Sequence, residues 1–293
     1  MDSADRTSSL IWLALVIGNT RLHWGCFYQQ RLLKAWHTPH ISKEDIQQLI
    51  RDGFVSSQWH SLATEIDKLE EGNTLVCSQN LLSLADVWIA SAVPAQSEVW
   101  TSLSAESSNA ESPNFVRRSR IPLANLYPTL GIDRAVNLLG AGQLVGWPVV
   151  VIDAGTAITL TAGVDQAVYG GAILPGLRLQ SEVLAEKTGA LKRFVPRWEP
   201  EKLGRKHTLP QRWATDSKSA IASGLVYGLL AVIIDYLQDW WQTFPTGKAV
   251  LTGGDAPYLH ACLKQRTPEI SSRVLLDSEL MFYGMNVYRQ AVH

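Results

Sequence analysis

The sequence predicts an α/β protein of two tandem domains with a cleft between them, and three observations carry that expectation. At 293 residues with 46% apolar side chains, the chain is long enough for two domains with a core each. Two short glycine-threonine turns each close an apolar strand: Gly18-Asn19-Thr20 follows residues 11–17, and Asp153-Ala154-Gly155-Thr156 follows residues 149–152. The order of three strands and then a helix recurs in both halves, which places the domains at 1–147 and 148–293. Small residues let backbone N–H groups approach an anion, and a threonine hydroxyl adds a donor. A pair of such turns therefore points to a duplicated phosphate grip, and so to a nucleotide.

Each element follows from local pattern. Residues 11–17, 22–28 and 32–37 alternate or run apolar between turn residues, as three hairpin-linked strands do. Residues 42–52 read as a helix with Ser42 as its cap. Residues 87–93 form a short apolar strand stopped at Pro94, and 95–104 continue as a helix. A polar, low-complexity connection over 104–114 follows. In the second half, 149–152, 159–164 and 167–174 repeat the three strands. A long buried or amphipathic helix spans 219–241, a strand at 249–252 enters Gly253-Gly254, and a closing helix covers 277–289. The longest apolar stretch, 221–237, contains Ser223, Gly224, Gly228 and Asp235, which favours a buried helix over a membrane span.

Composition excludes several classes. With 26 basic and 27 acidic side chains there is no global field to gather nucleic acid or an anionic membrane. Cys26, Cys77 and Cys262 are widely spaced and odd in number, which fits a reducing, cytoplasmic compartment rather than a disulfide framework or zinc site. The N-terminal stretch 1–9 carries Asp2, Asp5 and Arg6, and the apolar run behind it is too short for a secretory core. The seven histidines show no metal spacing, and neither a Gly-x-Ser-x-Gly elbow nor a Walker lysine loop occurs. Gly140-Ala141-Gly142 opens like a dinucleotide fingerprint, but Val145 stands where the third glycine belongs, so close helix packing is expected there. Residues 192–213 hold seven basic and two acidic side chains with Trp198 and Trp213 interleaved. A solvated loop is the expectation, over a nucleic-acid strip. Trp12, Trp24, Trp88, Trp147, Trp240 and Trp241 sit in or beside apolar segments, so core or subunit packing is expected of them rather than a ligand cage.

Three segments together resemble the type III pantothenate kinase family, a branch of the actin-like ATPase superfold. They are Gly18-Asn19-Thr20; Tyr127-Pro128 with Gly131-Ile132-Asp133-Arg134; and Asp153-Ala154-Gly155-Thr156-Ala157-Ile158-Thr159. Shorter echoes are 90–94, 170–176, Lys187-Thr188, Ala220-Ile221 and Leu251-Thr252-Gly253-Gly254-Asp255. Each is common alone; the ordered set from about residue 13 to about residue 255 is specific. The resemblance implies two ribonuclease H-like domains and ATP-dependent phosphorylation of pantothenate. It also implies Asp133 as proton acceptor, a pantothenate site of Tyr127, Gly131, Ile132, Asp133 and Arg134, and an ATP site of Val16, Ile17, Gly18, Asn19, Thr20, Arg21, Leu22, His23 and Thr156. Asp153 would hold a monovalent cation, potassium or ammonium, with magnesium arriving on ATP. Family members are homodimers, and Ser217, where the family places a threonine, would complete the neighbour's substrate site; Thr215 is the fallback.

The residue chemistry agrees without deciding. Phosphoryl transfer needs an aligned phosphate, neutralised charge and a carboxylate for the hydroxyl proton, and Arg134 offers a bidentate fork for a substrate carboxylate. Asp133 and Arg134 could equally cap a helix beginning near Ala135, and Asp153 and Thr156 could brace a tight hairpin. The departure from the family pattern is Val16, where an aspartate usually stands two residues before the glycine; valine holds neither magnesium nor its water. Two other readings stay open: a catalytically silent nucleotide-binding regulator of the same fold, and an actin-like sugar kinase or polyphosphatase. The short length and the 127–134 segment disfavour the last.

Overall fold

A computed structural model describes residues 11–51, 86–106, 113–195 and 208–292. The stretch 1–9, Cys77, most of the 104–114 connection and residues 196–207 of the basic strip lie outside the described residues.

Contacts divide the chain into two compact units. Unit 1 comprises 1–122, 129–136 and 281–293; unit 2 comprises 123–128 and 137–280. Each holds one five-stranded sheet. In unit 1 the strands are β1 (Ile11–Ile17), β2 (Leu22–Tyr28), β3 (Arg31–Thr38), β4 (Asp86–Ser91) and β5 (Asn114–Phe115), in the order β3-β2-β1-β4-β5. In unit 2 they are β6 (Val149–Ala154), β7 (Ala157–Val164), β8 (Ala167–Pro175), β9 (Lys248–Thr252) and β10 (Val274–Leu276), in the order β10-β9-β6-β7-β8. Numbered from its own first strand, each sheet reads 3-2-1-4-5. The first three strands are antiparallel, the fourth pairs with the first in parallel, and the fifth pairs with the fourth in parallel. The repeated order of elements is thus a repeated topology.

Unit 1 carries α1 (Lys43–Arg51) and α2 (Pro94–Glu106). Ser42 caps α1 as expected: its Oγ accepts from Asp45 N at 3.1 Å, while Asp45 Oδ2 accepts from Ser42 Oγ at 2.8 Å. The odd residues of β1 meet Ile46, Ile50 and Trp100 in one apolar core. Trp12 lies on the opposite face, stacked on Phe27 with ring centroids 4.1 Å apart. α3 (Ile132–Val145) begins three residues earlier than its sequence suggested. Its residues 132–136 fall in unit 1 and the remainder in unit 2, so a division at residue 147 is not where contacts separate.

Unit 2 adds α4 (Leu177–Lys187), α5 (Ser217–Thr243), α6 (Ala256–Arg266) and the one-turn α7 (Pro268–Ser271). The sequence reading had missed α4, α6 and α7. Asp216 caps α5, accepting from Ser219 N at 3.0 Å, and the backbone and side-chain bonds from Ser219 hold its carboxyl below the usual range. By length and hydropathy α5 alone among the described residues could cross a membrane. It lays Leu225, Val226, Leu229, Leu230, Ile233, Leu237, Trp240 and Trp241 into the core of unit 2. Of the tryptophans expected in core or subunit packing, Trp12, Trp24, Trp88, Trp240 and Trp241 are buried within the chain; Trp240 and Trp241 donate their indole N–H groups to Lys248 O and Gly247 O at 3.1 and 2.9 Å. Gly142 packs directly against the Trp147 ring, just beyond the end of α3.

The closing helix α8 (Leu280–Val292) belongs to unit 1, not to the second half. Arg289, 8% exposed, donates Nε to Asp86 Oδ2 at 3.1 Å and lies 5.0 Å from the Trp12 ring centroid. Tyr288 Oη accepts from Arg117 N at 2.9 Å. A buried ion pair and an aromatic anchor thus draw the C-terminus back to the first sheet.

Candidate active site

The first turn joins β1 and β2, with Gly18 N donating to Arg21 O at 3.0 Å. Val16 (3% exposed), Ile17 and Leu22 are buried, whereas Asn19, Thr20 and Arg21 are exposed. The strands therefore bury the apolar residues and leave the polar turn open. His23 is paired with Val16 across the hairpin, and its ring sits beside the turn: a Cβ built on Gly18 would lie 3.3 Å from His23 Nε2. Burial first, then the charges of His37 and Arg21, lower the His23 pKa to about 4.

At the start of α3, Asp133 is half-buried and its carboxylate lies over Gly131, where any Cβ would collide with Oδ1. Ala135 N donates to Gly131 O at 3.1 Å, closing the first helical turn. Ile132 is half-buried. Arg134 is 6% exposed, so its guanidinium is enclosed.

The second turn joins β6 and β7, where Gly155 N donates to Ala157 O at 3.2 Å. Three segments converge on it. Gly176, which precedes α4, donates N–H to Thr156 O at 3.0 Å, and a Cβ there would sit 2.7 Å from the same oxygen. Gly253 has φ +96°, and a Cβ would fall 2.5 Å from Asp153 Oδ1; only glycine suits both demands. Asp255 N donates to Ala154 O at 2.9 Å. The echoes at 170–176 and 251–255 are thus walls of the turn that carries Asp153 and Thr156.

Asn137, 2% exposed, donates Nδ2 to Asp153 Oδ2 at 2.9 Å. Its Oδ1 is buried without a partner, as is Oγ1 of Thr252, the residue paired with Asp153 on β9. A carboxylate, an orphaned amide oxygen and an orphaned hydroxyl are hard oxygen donors of the kind that alkali cations take, so this donor set fits such an ion.

The structure therefore brings Asp153 and Thr156 into one hairpin of unit 2, and Val16, Ile17, Gly18, Asn19, Thr20, Arg21, Leu22 and His23 into one hairpin of unit 1. Tyr127, 36% exposed, belongs to unit 2. Ser217 is exposed at the first residue of α5, with Asp216 rather than Ser217 as its cap; Thr215 is exposed before it. Sequence reasoning had missed Asn137 and Thr252. Asn137 stands four residues beyond Asp133, on the same face of a helix, and that spacing was the available signal.

A family model for type III pantothenate kinase matches residues 12–239. The chain belongs to the type III pantothenate kinase family. A relative from Synechocystis sp. (strain ATCC 27184 / PCC 6803 / Kazusa), named type III pantothenate kinase, is 38% identical over 275 residues, covering 94% of this chain and 88% of its own. A putative Baf family transcriptional activator from Campylobacter jejuni superposes with TM-score 0.53 at 18% identity, covering 95% and 97% of the two chains. MreB5 of Spiroplasma citri superposes at 0.50 and 9% identity, covering 96% and 97%. Those two likenesses concern the fold alone: the chain has the two-domain, ribonuclease H-like fold that its doubled 3-2-1-4-5 sheet displays.

Proposed function

We propose that the protein phosphorylates pantothenate on its primary hydroxyl, using ATP, to give 4'-phosphopantothenate, the first step towards coenzyme A. The observation that carries this reading is membership of the family over residues 12–239, together with a second turn whose walls are the family's own motifs. Asp133 accepts the hydroxyl proton as the oxygen attacks the terminal phosphate, its carboxylate lying in the space that the missing Cβ of Gly131 leaves open. Tyr127, Gly131, Ile132 and Arg134 bind pantothenate. The backbone of residues 16–23 and Thr156 bind the ATP phosphates, with no acid needed at Val16 because magnesium comes with the nucleotide.

Asp153, with Asn137 and Thr252, holds the potassium or ammonium ion, which supplies charge neutralisation at the phosphates. The protein works as a cytoplasmic homodimer in which Ser217 reaches the partner's substrate. Incubation of purified protein with pantothenate, ATP, magnesium and potassium, followed by chromatography for phosphopantothenate, tests the reading. Product that needs potassium and is lost in Asp133→Asn supports it; no product with any monovalent cation overturns it.

A further inference from the structure

Val16 leaves the row of side chains beside the first turn without a carboxylate, and the next two places in that row are histidines. Val16 pairs with His23 across β1 and β2, and His23 pairs with His37 across β2 and β3. Cross-strand partners share a face, so the three side chains stand in line. The imidazoles meet Nδ1 to Nδ1 at 2.9 Å, with the rings inclined by 75°. One proton fits between those nitrogens, so one ring donates and the other accepts.

The remaining nitrogen of His23, Nε2, lies beside the turn, 3.3 Å from where a Gly18 Cβ would be. The tautomer of His37 therefore decides what His23 offers the loop. When His37 Nδ1 donates, His23 carries its proton on Nε2 and presents a donor. When His23 donates instead, Nε2 is a bare lone pair that repels phosphate oxygen.

We propose that His23 is a phosphate-binding side chain of the first turn, held in its donor tautomer by His37, and that the pair supplies a hydrogen bond that Val16 cannot. This rests on the reading of the turn as part of an ATP site. The groups that face His23 are His37 from β3 and Arg21 from the turn, with Val16 from β1 uncharged. Burial above all, then the charge of Arg21 and any charge on His37, keep the ring neutral in the free protein. A triphosphate on the loop reverses that field, favours Nε2–H on His23, and draws one further proton on to the neutral pair, at the open Nε2 of His37, so that nucleotide binding takes up protons below neutral pH.

Calorimetric titration of the full-length protein with magnesium AMPPNP at about pH 6, in two buffers of different ionisation heat, tests this. Wild type binds with net proton uptake. His37→Phe, which removes the donor, binds roughly tenfold more weakly and without uptake, a loss the size of one hydrogen bond to a charged group. His37→Asn, whose amide Nδ2 stands where Nδ1 stood, restores most of the affinity but not the uptake. His23→Gln keeps a donor at the loop, and adding His37→Phe to it changes nothing further. Equal affinity and uptake in His37→Phe and wild type, or equal weakening in His37→Phe and His37→Asn, overturns the proposal. A wild-type protein that binds no AMPPNP overturns the reading of the turn itself.

Discussion

Asn137 on α3 donates its amide to Asp153 on β6 at 2.9 Å and keeps its own carbonyl oxygen buried without a partner. A structural hydrogen bond would spend the amide on both sides; this one leaves an acceptor facing no donor. We expect Asn137→Ala to unfold within about 1 kcal/mol of wild type, since one bond and one orphan are lost together. The potassium concentration for half-maximal activity should rise by roughly tenfold or more, because the oxygen proposed as a ligand is gone. A potassium chloride titration of the rate, set beside a denaturant melt, separates the two effects.

Gly253→Ala should cost more than its size suggests. The residue sits at φ +96° and its Cβ would press on Asp153 Oδ1 at 2.5 Å. Leaving glycine there costs about 1–2 kcal/mol in backbone strain alone. The expected result is a lower unfolding free energy together with a weaker response to potassium. Gly254→Ala is the control, since nothing lies within 4 Å of a Cβ at that position.

His23 makes stability depend on pH. Its folded pKa, lowered from 6.5 to about 4 by burial, His37 and Arg21, means that the unfolded chain binds more protons between those values. Stability therefore rises with pH across that window, is complete above about 6.5, and is lost on acidification by up to about 3 kcal/mol. Urea melts at a series of pH values should show this slope, and His23→Gln should flatten it.

Asp86 accepts from Arg289 Nε at 3.1 Å, Trp88 Nε1 at 2.7 Å and Asn114 Nδ2 at 2.8 Å. Asp86→Ala leaves the Arg289 guanidinium buried without its counter-charge, at a cost of about 3–5 kcal/mol. Hydrogen exchange should show α8 losing protection first, as the helix held to the sheet by that pair.

Much of the architecture was legible because the strands are short apolar runs bounded by turns. The expected spans 11–17 and 22–28 match β1 and β2 residue for residue. What escaped the sequence was long-range. The return of α8 to unit 1 depends on Arg289 finding Asp86, a pairing across 203 positions that no local pattern encodes. α4 was missed because its apolar residues lie among charged ones, which blurs the helical period, and α6 because it is short and opens on Pro257 directly after the Gly253-Gly254 turn. The site was legible where glycine and threonine had to follow a strand, and illegible at Asn137 and Thr252. Their importance lies in atoms left without partners, and only packing creates that condition.

Asp133 bears the central claim, and steady-state kinetics of Asp133→Asn measure it most directly. The account predicts that kcat for phosphopantothenate formation falls by about 10²–10⁴ while magnesium AMPPNP binds as in wild type, the signature of a lost general base. Turnover within a few-fold of wild type would contradict it.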